Sequence, residues 1–124
     1  ALRDIFPQAV IYTLLYDSEK MGKYFKGTEI RASFCQKFPF WQKNHRFLLP
    51  LLPSAVESFN LRDYDLVVSS SSAFSKGLIL RTKTLHFCYC HSPTRFLWDY
   101  THSYDYPQIF RPLVKIITHW LRLW

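Results

Sequence analysis

The stretch spanning residues 86–99 constrains the fold more than any other part of the chain. Residues 87–91 combine aromatic and thiol side chains, which predicts a short buried strand, and Pro93 ends it because proline cannot donate to a sheet ladder. A helical pattern follows the proline. In α/β proteins, a turn between the carboxyl end of a strand and a helix carries binding groups. The pattern therefore predicts a functional edge at the turn that holds His91, Ser92 and Arg95.

Other short apolar runs alternate with helical patterns along the chain. Strands are predicted at 9–16, 29–34 and 64–69, with the first and last buried, and a loop or short helical turn at 17–27. Helices are predicted at 42–49, 53–59 and 110–124, with a kink at the prolines between the first two and a short helix or loop at 95–104. The last helix has one apolar face made of Phe110, Leu113, Val114, Ile117, Leu121 and Trp124. This alternation predicts an α/β fold with a parallel sheet. Residues 1–6 resemble the end of a helix, so the first strand of the domain is expected upstream.

Composition narrows the class of protein. The 124 residues, 48% of them hydrophobic, predict one folded domain with a modest core. No apolar run approaches the roughly 18 residues that span a bilayer, and three cysteines favour reduced thiols in a cytoplasmic protein. The net charge of +7 and the 19% aromatic content indicate an anionic partner, which could be nucleic acid, a phosphorylated substrate or a membrane surface.

The thiols near His91 do not form a recognisable catalytic or metal site. Cys90 and His91 are consecutive on the predicted strand and point to opposite faces, which argues against a nucleophilic pair. The spacing of Cys88, Cys90 and His91 matches no structural zinc site, so no metal is expected and the cysteines are interpreted as small core residues. His91 could be a core histidine bonded to backbone, but its place at a strand end favours a cleft.

A run of serines forms the second candidate site. Ser69, Ser70, Ser71 and Ser72 lead from a predicted strand into a short helical turn at 73–77, with Lys76 nearby. Hydroxyls and backbone N–H groups in this arrangement suit a phosphate or a sugar hydroxyl. An ordinary serine cap for the following helix explains the pattern equally well.

A basic and aromatic segment offers a third candidate. It contains Lys37, Trp41, Lys43, His45, Arg46 and Phe47. Such a segment can place a protein peripherally on an anionic membrane, here the inner face of the plasma membrane. A solvated charged face with its aromatics in the core is slightly favoured. No nucleic-acid-binding motif accompanies the charges, so no nucleic acid partner is expected.

Two segments resemble signatures of one enzyme family. Residues 90–99, Cys-His-Ser-Pro-Thr-Arg-Phe-Leu-Trp-Asp, resemble the Cys-His-Thr-Pro-Met-Arg-Tyr-Ala-Trp-Asp signature of bacterial mannosyltransferase-like enzymes in family 4 of the retaining glycosyltransferases. Residues 64–71, followed by Ala73, Lys76 and Gly77, are similar to a second signature of these enzymes, and so are residues 6–14 and 111–124. The departures at Ser72, Thr94, Phe96 and Leu97 concern the identity of the acceptor.

The resemblance implies a GT-B fold, in which two Rossmann-like domains face each other across a cleft. Residues 1–124 would form most of the N-terminal, acceptor-side domain, and the C-terminal nucleotide-sugar domain would lie outside this chain. The resemblance implies that His91 contacts the donor sugar near the reacting carbon. It also implies that Ser71, Ser72, Lys76, Ser92, Arg95 and Asp99 line the substrate side.

The implied reaction is transfer of a hexose to a saccharide or lipid-linked acceptor with retention of configuration, in polysaccharide or glycan biosynthesis. The expected donor is a nucleotide diphosphate sugar, most plausibly GDP-mannose, with no metal or other cofactor, and the 124-residue chain by itself is expected to transfer nothing. An alternative hypothesis for the function stays open, in which the chain is a non-catalytic basic module that binds anionic membrane or nucleic acid.

Overall fold

A computed structural model of the protein describes residues 2–39, 45–71, 73–91, 95–98 and 108–124. The chain divides into two compact units, Ala1–Asn60 and Leu61–Trp124, and each unit is described by itself. Each contains a pair of parallel strands together with short helices. The predicted mixed α/β class and the parallel pairing are therefore confirmed. The described strands form two two-stranded sheets, and a Rossmann-like arrangement remains a prediction.

The first unit is built on a short parallel pair. Strand β1 (Ile11–Thr13) pairs with β2 (Ile30–Ala32), after helix α1 (Leu2–Ile5) and on either side of helix α2 (Ser18–Met21). The pair ends where Ser33 donates its N–H to the carbonyl of Thr13 at 2.9 Å and its hydroxyl to the carbonyl of Leu14 at 2.7 Å. Strand β1 is half-buried along its length, so the prediction of burial on both faces is wrong. Among the described residues, β1 has only β2 as a neighbouring strand.

The residues that directly follow β2 contribute to the hydrophobic core of the first unit. The Ser33 hydroxyl accepts the N–H of Cys35 at 3.2 Å and thereby caps a 3₁₀ helix, Phe34–Lys37. Cys35 is fully buried against Leu48 and Ala55, and the partly buried residues Leu14, Leu15 and Leu52 pack around them. Cys35 therefore acts as a small core residue.

The proline-containing segment consists of two consecutive helices of different type. A 3₁₀ helix, His45–Leu51, runs directly into helix α3 (Leu52–Glu57). Pro50 has no N–H to donate and lies in the 3₁₀ segment, whereas Pro53 lies in the first turn of α3, where that N–H needs no partner. The first helix is thus 3₁₀ rather than α, and its predicted start at residues 42–44 lies outside the described residues.

The second unit is built on a longer parallel pair. Strand β3 (Leu66–Ser71) pairs with β4 (Leu85–Cys90), in a register that runs from Leu66 opposite Leu85 to Ser71 opposite Cys90. The prediction ended β3 at Ser69, which is wrong, because Ser70 and Ser71 also belong to the strand. The backbone hydrogen bonds between β3 and β4 continue to Ser71, and they outweigh the weak preference of serine for turns.

Both strands are more exposed than their apolar composition predicts. Leu85, Phe87 and Tyr89 of β4 are 57, 58 and 66% exposed, so the prediction of a buried strand is wrong. The same holds for the predicted burial of β3, whose Leu66 and Val68 are each 40% exposed. Apolar composition predicts burial only where another layer covers the sheet, and the described residues leave this face open. Cys88 and Cys90 are also exposed, which corrects their assignment to the core.

Helices complete the second unit. The strand β3 leads into a 3₁₀ turn, Ser75–Gly77, and the remaining helices are α4 (Arg95–Trp98), a 3₁₀ turn (Gln108–Phe110) and α5 (Arg111–Leu123). Leu121 of α5 is buried, as are Phe74 and Leu97. The predicted apolar face is only partly correct, because Phe110 precedes the helix and is 53% exposed and Leu113 is 54% exposed. No helix in the described residues combines the length and apolar character needed to cross a bilayer.

The cysteines provide a test of this packing. Burial raises the pKa of the Cys35 thiol, so both access and ionisation oppose its alkylation, whereas Cys88 and Cys90 are exposed. We expect iodoacetamide at neutral pH to modify Cys88 and Cys90 in the folded protein and to reach Cys35 only after denaturation. Peptide mass spectrometry measures this directly. Modification of all three thiols at equal rates would contradict the described core.

Candidate functional site

His91 lies at the carboxyl end of the parallel pair in the second unit. Its N–H donates to the carbonyl of Ser71 at 3.2 Å, which continues the ladder one residue beyond β4 and holds the backbone of His91 against β3. A hydrogen bond of 2.8 Å joins the Nε2 atom of His91 to the hydroxyl of Ser70. His91 is exposed to solvent, which excludes the alternative of a core histidine, and its predicted place in a cleft stays a prediction.

An aromatic side chain holds the imidazole from the other side. The rings of Tyr89 and His91 meet edge to face, with 4.8 Å between their centroids. Both residues lie on the same face of the sheet because side chains alternate along a strand, and the register places Ser70 directly opposite Tyr89. Ser70, Tyr89 and His91 are named here the His91 cluster.

The sheet surface next to the His91 cluster is apolar. Val68 and Phe87 lie opposite each other in the register on the same face and are 40 and 58% exposed. The site therefore combines one imidazole, one hydroxyl and an aromatic surface. Hydrogen-bonding groups beside apolar aromatic faces suit an uncharged ligand that has both hydroxyl groups and C–H surfaces.

The Nδ1 atom of the His91 imidazole is the nitrogen that can bind a ligand. Neutral histidine has one donor and one acceptor nitrogen, and Nε2 is already bonded to Ser70. If Nε2 accepts the serine proton, Nδ1 carries an N–H that can donate to a ligand oxygen. If Nε2 donates to the serine, Nδ1 accepts from a ligand hydroxyl. Both tautomers can therefore hold a hydroxyl group.

A second serine–histidine pair occupies the opposite face of the same sheet. The hydroxyl of Ser69 and the Nε2 atom of His86 are 2.8 Å apart, and Ser69 is buried. Sequence reasoning missed this pair, as it missed the role of Ser70 and Tyr89. The signal lies in the register, which sets Ser69 opposite Cys88 and thus places His86 diagonally next to it on the same face.

The hydroxyl of Ser71 makes a local backbone contact. It accepts the N–H of Ala73 at 3.0 Å at the end of β3. By alternation Ser71 shares a face with Ser69 and not with His91, and its predicted place on the substrate side stays a prediction. The other prediction for the serines, a cap for the following helix, is wrong, because Phe74 occupies the cap position without a side-chain cap bond.

The remaining predicted site residues are only partly described. Ser72, Ser92 and Asp99 lie outside the described residues, as does the side chain of Arg95, so the predictions for them stay predictions. The same applies to Trp41, Lys43 and the side chains of His45, Arg46 and Phe47 in the basic segment, whereas Lys37 ends the described 3₁₀ helix after β2.

Lys76 borders a small cavity of about 90 Å³ between the turn after β3 and helices α4 and α5. The guanidinium of Arg122 lies 4.9 Å from the ring centroid of Trp98, and its Nε donates to the carbonyl of Leu97 at 2.9 Å. At Gly77 a Cβ atom would lie 2.4 Å from the ring of Trp124, so any larger residue would have to displace this ring. The volume is well below the roughly 300 Å³ of typical ligand pockets. Two cations beside it suit at most a group the size of a phosphate.

The described residues contain no group of three or more histidine, cysteine or acidic side chains that could hold a metal ion. Cys88, Cys90 and His86 share a face of β4, but they do not form such a group.

We compared the chain with models of known protein families, with curated proteins and with solved structures, and none of these comparisons gave a match.

The two serine–histidine pairs differ in burial and therefore predict stability effects of different size for matched substitutions. Ser69→Ala leaves the half-buried His86 without its partner and is expected to lower the free energy of unfolding by about 1–2 kcal/mol. Ser70→Ala removes an exposed bond and is expected to change it by less than about 0.5 kcal/mol. Urea denaturation followed by circular dichroism measures both. Equal losses in the two variants would contradict the assignment of Ser69 to the structural pair.

Proposed function

We propose that this chain is the acceptor-side domain of a retaining glycosyltransferase that moves a hexose to a saccharide or lipid-linked acceptor, with mannose from GDP-mannose as the proposed donor group. The observation that carries the proposal is the exposed His91 at the carboxyl end of a parallel strand, 2.8 Å from the hydroxyl of Ser70. Ligands of open parallel sheets bind outside this end of the strands. The signature that resembles those of family 4 enzymes includes the same histidine.

The His91 cluster has the chemistry that a sugar requires. A hexose presents hydroxyl groups around its ring and C–H groups on the two ring faces. The free nitrogen of the imidazole can bind a hydroxyl near the reacting carbon, and the exposed rings of Phe87 and Tyr89 offer an apolar surface to the C–H groups. Ser70 and the ring of Tyr89 hold the ring of His91 in place and so limit the entropy lost when the sugar is aligned.

In the proposed reaction His91 acts through a hydrogen bond and not as a nucleophile. The imidazole nitrogen holds a sugar hydroxyl while the bond from the anomeric carbon to the diphosphate breaks. The acceptor oxygen forms the new bond from the same side, and the proton of the acceptor hydroxyl passes to the leaving diphosphate. A contact that strengthens as charge develops at the anomeric carbon raises the rate of transfer. The groups that bind the leaving diphosphate belong, in this proposal, to the nucleotide-sugar domain of the complete protein.

Replacement of His91 by alanine in the complete protein tests the proposal. We expect transfer of radiolabelled hexose from GDP-mannose or UDP-glucose into lipid and polysaccharide fractions to fall by about a hundredfold, because a hydrogen bond at the reacting sugar is lost. Ser70→Ala should cause a smaller loss, since it only frees the imidazole to rotate.

His119→Ala serves as the matched control, because His119 is an exposed histidine on α5 outside the His91 cluster. It should transfer at the wild-type rate. Transfer by His91→Ala at the wild-type rate would remove the site assignment, and failure of the wild-type protein to transfer from either donor would favour the non-catalytic binding module instead.

A further inference from the structure

Helix α5 presents an apolar stripe that the second unit does not cover. Successive residues of a helix are turned by about 100°, so residues spaced three and four apart share a side. Leu113, Ile116, Trp120 and Leu123 follow this spacing and are 54, 67, 44 and 74% exposed. They are named here the α5 stripe. The side of the helix that packs inward is a different one, centred on the buried Leu121.

Basic residues flank the α5 stripe on one side. Arg111, Lys115 and Arg122 all lie on the arc of the helix between its packed side and the stripe, and all three are exposed. His119 lies at the border with the stripe. Residues 108–124 contain no aspartate or glutamate. The helix therefore has three sides, one packed, one basic and one apolar.

Charge decides between the possible occupants of the stripe. The spacing of its residues would also allow two copies of α5 to pair, as in a coiled coil. Pairing of two copies would bring their basic sides together without an acidic residue on either helix, and like charges at such distances repel. An anionic lipid surface accepts the apolar side chains and attracts the basic ones at the same time.

The length of helix α5 determines how it can lie on a lipid bilayer. Helix α5 has 13 residues, whereas about 20 are needed to span the hydrocarbon core. A helix of this length lies in the plane of the interface, where tryptophan is well accommodated because its ring is apolar and its N–H is polar. Trp120 lies in the stripe between Ile116 and Leu123.

We propose that the α5 stripe docks the protein on the surface of an anionic lipid bilayer, with Leu113, Ile116, Trp120 and Leu123 in the interface and Arg111 and Lys115 beside the lipid phosphates. This surface differs from the basic segment at 37–47, and the inference does not depend on the proposed sugar transfer.

Vesicle flotation of the 124-residue chain tests the inference with a matched pair of variants. Ile116→Glu places a charge in the stripe. Ile79→Glu is the control, because Ile79 is 65% exposed, almost the same as the 67% of Ile116, and lies outside α5. On vesicles of phosphatidylcholine with phosphatidylglycerol, we expect Ile116→Glu to lower the partition coefficient by about tenfold or more and Ile79→Glu to leave it within about twofold. The wild type should bind pure phosphatidylcholine more weakly, and added salt should weaken its binding to the anionic vesicles.

Several outcomes would overturn the inference. Equal binding by both glutamate variants would mean that another surface contacts lipid, and failure of the wild type to float with anionic vesicles would mean that the stripe is not a membrane surface. Sedimentation velocity without lipid covers the third case, because a dimer that Ile116→Glu dissociates and Ile79→Glu preserves would show that a second copy occupies the stripe. Circular dichroism confirms that both variants retain the helix content of the wild type, and Trp120→Leu provides an uncharged change in the stripe that should also weaken flotation.

Discussion

The register of β3 and β4 is the constraint on which the second unit depends. Because side chains alternate along each strand, the pairing of Ser70 with Tyr89 decides that Ser70 joins His91 on one face and that Ser69 joins His86 on the other. A slip of one residue would exchange the faces and separate both pairs. The parallel direction brings the carboxyl ends of both strands to the same edge, where the imidazole is held.

Close packing anchors the helices of this unit to the sheet. Gly77 allows the ring of Trp124 to approach the turn after β3, and Trp124 in turn meets Phe74 with 5.9 Å between ring centroids. Arg122 ties α5 to α4 through the carbonyl of Leu97 and the ring of Trp98. The side chain of Arg122 thus packs on a ring and donates a hydrogen bond at the same time. Its charged group has a structural role that does not depend on a ligand.

The surface of the second unit is unusual in how much apolar area it leaves open. The described residues expose one face of the sheet around Phe87 and one side of α5 around Ile116. Contiguous apolar patches on proteins mark places of contact with other molecules. The two patches differ in their polar neighbours, and this difference separates their proposed roles. The sheet face ends at a serine and a histidine, which suit hydroxyl groups, whereas the helix side adjoins arginine and lysine, which suit phosphates.

The sequence by itself determined roughly where the strands and the longest helix lie, although not their ends, because short β-branched or aromatic runs, prolines and a 3.6-residue period act locally. It also determined that strands pair in parallel and that His91 directly follows a strand. Only the tertiary structure decided that Ser70 and not Ser71 accompanies His91, that Cys88 and Cys90 are exposed, and that α5 packs around Leu121. These features depend on strand register and on which face another element covers, and both are set by contacts between residues far apart in the chain, which local patterns do not encode.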